Sequence, residues 1–123
     1  MVTYNLDKIG WNYSMRMGCK CACKGDYEDS IKYYEEALRE GTKDGFIYNN
    51  LADAYMNVGR PDIALEYAKE AIGRLQDETF PYVTLGEVHQ ANGEHGKAVD
   101  CIVKAQEIFE ESVPELKGMI FDS

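Results

Sequence analysis

Residues 45–78 read GFIYNNLADAYMNVGRPDIALEYAKEAIGRLQDE, and this stretch decides the fold. In its first half, apolar and small residues recur three and four positions apart, which is the spacing of one helical face. Gly59 separates the two halves, because glycine accepts the left-handed backbone angles that end a helix. Pro61 then suits the first position of a second helix, where no amide hydrogen is needed. The stretch therefore predicts two antiparallel helices joined by a tight turn.

The same pattern occurs on both sides of this stretch, at residues 11–44 and 79–112, with a period of 34 residues. The fifteenth residue of each unit is glycine, the twenty-seventh is alanine, and the eighth and twentieth are small. In that order of positions the residues are Gly25, Gly59 and Gly93; Ala37, Ala71 and Ala105; Gly18, Ala52 and Gly86; and Ser30, Ala64 and Ala98. The small residues allow the two helices of a unit to approach closely. One pair of helices cannot bury its apolar face alone, so the three units are expected to stack.

This phase resembles the tetratricopeptide repeat (TPR) family, most clearly in residues 25–37, GDYEDSIKYYEEA, and 48–55, YNNLADAY. The resemblance covers about 102 of the 123 residues. Together with the repeat, it predicts an all-α solenoid of antiparallel helix–turn–helix units, a single domain spanning residues 1–123. We expect about seven helices, near residues 11–24, 27–40, 45–58, 61–75, 79–92, 95–110 and 113–121, with the last of them capping the third unit.

The composition excludes several classes of partner. The formal net charge is −9, whereas a nucleic-acid binder usually presents a basic face and an anionic lipid surface attracts basic segments. The N-terminal residues contain no apolar run of the kind that a signal peptide has, and no stretch approaches the roughly 20 apolar residues of a membrane span. We therefore expect a cytoplasmic protein, with no nucleic acid or membrane among its partners and with reduced cysteines.

Three cysteines at alternate positions are the sharpest chemical feature. Cys19 and Cys23 are four residues apart on one helical face and could both ligate a soft metal. A structural zinc requires four ligands, however, and Cys101 and His89 lie two units away. Cys21 is expected to pack as a small apolar residue. No serine–histidine pair or carboxylate pair stands out, so we expect no metal, no cofactor and no enzymatic activity.

The first helices of stacked units line the concave side of a solenoid. The residues expected to face that groove are Asn12, Met15, Arg16, Cys19, Phe46, Asn49, Asn50, Asp53, Met56, Asn57, Phe80, Val83, Thr84 and Glu87. Amides can satisfy the backbone of an extended peptide, and the aromatic and methionine side chains can receive its apolar groups. This mixture predicts an interaction module that binds a peptide segment of another protein. Because Asp53 and Glu87 are acidic, that segment is expected to be neutral or basic.

The resemblance also implies a class of partner to test. Some members of the family are co-chaperones that hold the C-terminal carboxylate of heat-shock proteins through inward lysine, arginine and asparagine residues. Asn50 fits one of these positions. The positions where such a clamp needs the other residues are occupied by Met15, Cys19, Phe80 and Thr84. The clamp is therefore broken in this sequence, which disfavours that partner class.

The C-terminal end suggests an alternative function. The last repeat helix offers Val99, Ile102, Val103, Ile108 and Phe109, and residues 112–115 have the pattern of a helix start with proline in its first turn. A following helix at residues 113–121, with an apolar stripe of Leu116, Met119, Ile120 and Phe121, is only about two turns long. Incomplete cover would leave an apolar patch for self-association. The alternative is thus a structural assembly module that uses this face.

Overall fold

The computed structural model describes residues 12–113, which form six α-helices and contain no strand. The helices are α1 (Tyr13–Cys23), α2 (Tyr27–Arg39), α3 (Gly45–Asn57), α4 (Pro61–Arg74), α5 (Phe80–Ala91) and α6 (His95–Ser112). Consecutive helices pair as three hairpins, and α1, α3 and α5 also contact one another in sequence. This arrangement confirms the all-α solenoid. The expected seventh helix, 113–121, lies outside the described residues except for Val113, which follows the end of α6.

The turn inside each hairpin is the same structure repeated three times. Gly25, Gly59 and Gly93 have φ angles of 82°, 79° and 77°, as the sequence predicts. After each glycine, the next amide donates to the carbonyl five residues earlier, at 2.8–2.9 Å. These bonds satisfy carbonyls that the end of a helix leaves open. The repeated glycine is therefore a backbone requirement of the turn.

The small residues of the repeat lie where the helices of a hairpin touch. Ser30, Ala37 and Ala71 are fully buried. At Gly18, a Cβ atom would lie 2.6 Å from two ring carbons of Tyr34, which is closer than packed atoms approach. The ring of Tyr34 therefore packs directly on the backbone of α1. Glycine at this position is required by packing, since Gly18 has ordinary helical backbone angles.

The core consists of two clusters that continue from hairpin to hairpin. The first joins α1, α2 and α3, and includes Tyr34 and Leu51; the second joins α3, α4 and α5. The expected stacking of the units is confirmed by burial at α3 and α5, where Ile47, Ala54 and Val88 are at most 1% exposed. No helix within residues 12–113 combines the length and the apolar character that crossing a membrane requires.

Candidate functional site

Two aromatic rings form the centre of the surface that α3 and α5 share. Phe46, the second residue of α3, and Phe80, the first residue of α5, stack with ring centroids 5.1 Å apart and an interplanar angle of 17°. The side chain of Asp44 fixes the start of α3 by accepting from the backbone amide of Phe46 at 3.0 Å. Phe46 remains 40% exposed. We call Phe46 and Phe80 the phenylalanine pair; its rings are held in position by each other and are still open to solvent.

A cavity continues from this pair towards α6. It has a volume of about 450 Å³, and Phe80, Val83, Thr84, Ile108 and Ser112 contribute to its wall. Its rim carries two carboxylates, Asp77 and Glu78. The antiparallel pairing of α5 and α6 explains this arrangement, since it brings the first turn of α5 beside the last turn of α6. The cavity can hold an apolar group beside an acidic edge.

Two of the predicted groove residues, Cys19 on α1 and Asn50 on α3, lie close to each other. The amide nitrogen of Asn50 lies 3.8 Å from the sulfur of Cys19, and the hydroxyl of Tyr34 donates to the same sulfur at 3.3 Å. Burial raises the pKa of the Cys19 thiol, although the hydrogen bond from Tyr34 acts in the opposite direction. Cys19 is therefore a neutral thiol that fills space between two helices. Within residues 12–113, no three histidine, cysteine, aspartate or glutamate side chains are grouped to hold a metal ion.

Acidic residues lie along the middle of the groove. Asp53 on α3 and Glu87 on α5 are both exposed, as the helical phase predicts. Partial removal from water raises the pKa of the Asp53 carboxyl. The inner faces of α3 and α5 carry no lysine or arginine. This part of the groove therefore favours a neutral or positively charged group.

The prediction that Met15 lines the groove is wrong. Met15 is 0% exposed and belongs to the core cluster that contains Ile47 and Leu51. Its flexible thioether side chain fills a gap between α1 and α3 instead of reaching solvent. The apolar groove surface therefore comes from α3 and α5 alone.

The prediction that Asn12 faces the groove is also wrong. Helix α1 begins at Tyr13, so Asn12 is its N-cap residue, and its side-chain oxygen accepts from the amide of Met15 at 2.9 Å. The side-chain nitrogen donates to the hydroxyl of Thr42 at 3.0 Å, which ties the start of α1 to the loop after α2. Both the oxygen and the nitrogen of this side-chain amide therefore have hydrogen-bond partners within the chain. Asn12 is therefore a structural cap.

The other predicted groove residues are spread along the surface. Arg16, Asn49 and Met56 are half-buried, and Met56 packs against the second core cluster. Asn57 is exposed, but its amide donates to the carbonyl of Asp53 at 2.8 Å. Asn57 lies eleven residues after Phe46, so about 16 Å of helix separates it from the phenylalanine pair. There it lines a different cavity, of about 430 Å³, beside the α1–α2 turn.

Some residues at the site were not predicted. Ile108, Ser112, Asp77 and Glu78 line the cavity beside Phe80, and only the pairing of α5 with α6 would have indicated them. His89 is a buried core histidine with a polar partner. It is 7% exposed, and its Nδ1 lies 3.2 Å from a carboxylate oxygen of Glu94.

Comparisons with known proteins agree with this architecture. Two models of the tetratricopeptide repeat match residues 17–45 and 47–76. The Hsp70-Hsp90 organising protein of Plasmodium falciparum is 34% identical over 70 residues, which are 57% of this chain and 28% of that protein. The chain therefore spans less than a third of the length of this relative.

Solved structures share the fold at lower sequence identity. The crystal structure of MamA has a TM-score of 0.74 and 23% identity, covering 77% of this chain and 56% of that one. The first TPR domain of Spaghetti (RPAP3), bound to the HSP90 peptide SRMEEVD, has a TM-score of 0.74 and 19% identity, covering 89% of this chain and 91% of that one. The two matched segments are thus tetratricopeptide repeats, and the third hairpin has the same helix–turn–helix arrangement.

Proposed function

We propose that this protein binds an extended peptide segment of another protein, in the groove lined by α1, α3 and α5. The observation that carries the proposal is the phenylalanine pair, which leaves an ordered aromatic surface open to solvent. Aromatic anchors beside well-formed cavities dominate the energetics of many interfaces. The Spaghetti domain that shares this fold is bound to a peptide, which supports the same class of function here.

Recognition combines an apolar contact with hydrogen bonds to the peptide backbone. An apolar side chain of the ligand packs on Phe46 and Phe80 and enters the cavity beside Val83 and Thr84. The half-buried amide of Asn50 lies one helical turn after Phe46 on α3 and offers both a donor and an acceptor. These groups matter because a backbone amide that loses water without a partner costs about 1–3 kcal/mol.

The charge of the groove favours a neutral or basic ligand. Asp53 and Glu87 line its middle, and Asp77 and Glu78 edge the cavity at its end. An acidic C-terminal peptide such as SRMEEVD would meet this row of carboxylates. The positions that would need cations for such a ligand hold Met15, Cys19, Phe80 and Thr84. The ligand is therefore expected to differ in charge from the HSP90 peptide in the Spaghetti structure.

A peptide-library selection on the immobilised full chain tests the proposal. Selected peptides should share an apolar residue with a neutral or basic neighbour, and SRMEEVD serves as the acidic comparison. The variant Asp53→Lys should weaken binding of a selected basic peptide, more strongly at low salt than at high salt, because exposed charges are screened. Enrichment of acidic C-terminal peptides, or of no peptide class at all, would contradict the proposal.

A further inference from the structure

One face of α6 exposes a row of large apolar side chains. Val99, Ile102, Val103 and Phe109 are 61%, 48%, 47% and 42% exposed. At about 100° per residue, these positions fall on one side of the helix, together with Gln106 and Glu110. Ala98 and Ala105, about 90° around the helix from the centre of this side, are buried against α5. We call the exposed side the α6 stripe; apolar surface concentrated in this way marks an interaction site.

The α6 stripe borders a groove between α5 and α6. This groove has a volume of about 460 Å³ and is lined by Gly86, Glu87, Gln90, Ala98, Val99, Ile102 and Val103. The floor of this groove is the place where the backbones of α5 and α6 approach closely, since a Cβ atom at Gly86 would lie 3.3 Å from the carbonyl oxygen of Ala98. A side chain of the size of valine or isoleucine fits above this floor. The groove therefore suits the same residue types that the stripe itself presents.

We propose that a second copy of this chain covers the α6 stripe, with its α6 antiparallel to the first across a two-fold axis. A two-fold interface uses the same patch on both subunits, so the patch must complement itself. With the axis between residues 102 and 103, Ile102 faces the partner's Val103, and Val99 faces the partner's Gln106. Ile102 and Val103 of both copies then meet at the centre of the contact, and Val99 and Phe109 extend the apolar contact towards its two ends.

The charges at the two ends of the stripe favour this antiparallel register. The same axis brings His95, exposed at the start of α6, opposite the partner's Glu110. A histidine from a second copy supplies a donor to this carboxylate. Lys97 and Lys104 lie on the far side of the helix from the stripe, so no like charges face each other across the contact.

Sedimentation equilibrium of the full chain, at about 1–200 μM, tests the proposal, because a dimer with a micromolar dissociation constant is partly formed in this concentration range. We expect a concentration-dependent dimer. Ile102→Asp should raise its dissociation constant at least tenfold, because the carboxylate would be buried at the centre. Lys104→Asp places the same residue on the opposite side of the same helix and should leave the constant unchanged. Circular dichroism checks that both variants keep the helical fold.

A charge exchange tests the register. His95→Glu should weaken the dimer by placing two carboxylates opposite each other, and adding Glu110→Lys should restore it. A chain that stays monomeric throughout the range, a dimer that withstands Ile102→Asp, or a double variant that is not restored would overturn the proposal. In a monomer, slow hydrogen exchange at residues 99–103 would identify another part of the chain as the cover. Phe80→Ala should not change the dimer, which separates this surface from the peptide groove.

Discussion

Replacing Gly18 with alanine tests the closest helix–helix contact of the repeat. The added Cβ would lie 2.6 Å from Cδ1 and Cε1 of Tyr34, so the ring or the helix must move. Tyr34 is only 2% exposed, and its hydroxyl is held by the sulfur of Cys19 at 3.3 Å. The ring therefore has little room to move.

Two opposing effects set the magnitude. Alanine is favoured over glycine inside a helix by about 1 kcal/mol, whereas overpacking a well-filled core costs about 1–3 kcal/mol. The net change is a loss of about 0–2 kcal/mol in the free energy of unfolding. Gly73 provides the matched control, because it lies in α4 and a Cβ there meets nothing within 4 Å. Gly73→Ala should stabilise by about 0.5–1 kcal/mol.

Urea denaturation followed by circular dichroism measures both variants. The difference between them isolates the contact with Tyr34 and should be about 1–3 kcal/mol, with Gly73→Ala the more stable protein. Equal stabilisation by the two substitutions would refute the reasoning, since the ring would then not limit the approach of α2 to α1.

Two further predictions concern stability. Ala71→Leu should lower the free energy of unfolding by about 1–3 kcal/mol, since Ala71 is 0% exposed at a helix contact; an unchanged urea midpoint would mean that the site has room. Removal from water, together with the hydrogen bond to Glu35, raises the pKa of Tyr55. The unfolded phenol ionises near pH 10 while the folded one stays neutral, so stability should fall as the pH rises above about 10. Tyr55→Phe should make that fall shallower, and an unchanged slope in alkaline urea titrations would count against it.

The repeat made the fold predictable from the sequence. Glycine at the fifteenth residue of each unit predicted the turns, because one backbone angle was needed and one residue supplies it without strain. The small eighth and twentieth residues predicted the contacts within hairpins. These features are local or periodic, so they need no knowledge of how side chains fill space. Residues 114–121 lie outside the described part of the chain, and the capping helix stays a prediction.

The candidate site was less predictable, because the periodicity of a helix indicates in which direction a side chain points but not how deeply it is buried. Met15 was expected to face the groove, yet its side chain is long and flexible enough to enter the core that α1, α2 and α3 share. For Asn12 the predicted helix began two residues too early, which turned a cap into a groove residue. Asparagine just before a helix is itself a capping signal and could have corrected this boundary. The stacking of Phe46 on Phe80 depends on the distance between α3 and α5, which no sequence pattern contains.

The central claim is that the phenylalanine pair anchors a peptide, and one pair of calorimetric titrations tests it most directly. Phe46→Ala is compared with Phe109→Ala, because Phe46 is 40% exposed and Phe109 is 42% exposed on a different surface. Each variant is titrated with a peptide selected on the wild-type chain. Loss of an interface anchor typically costs about 2 kcal/mol or more, so Phe46→Ala should weaken binding by about thirtyfold while Phe109→Ala leaves it unchanged. Equal affinities for wild type and Phe46→Ala, or a loss confined to Phe109→Ala, would contradict the account.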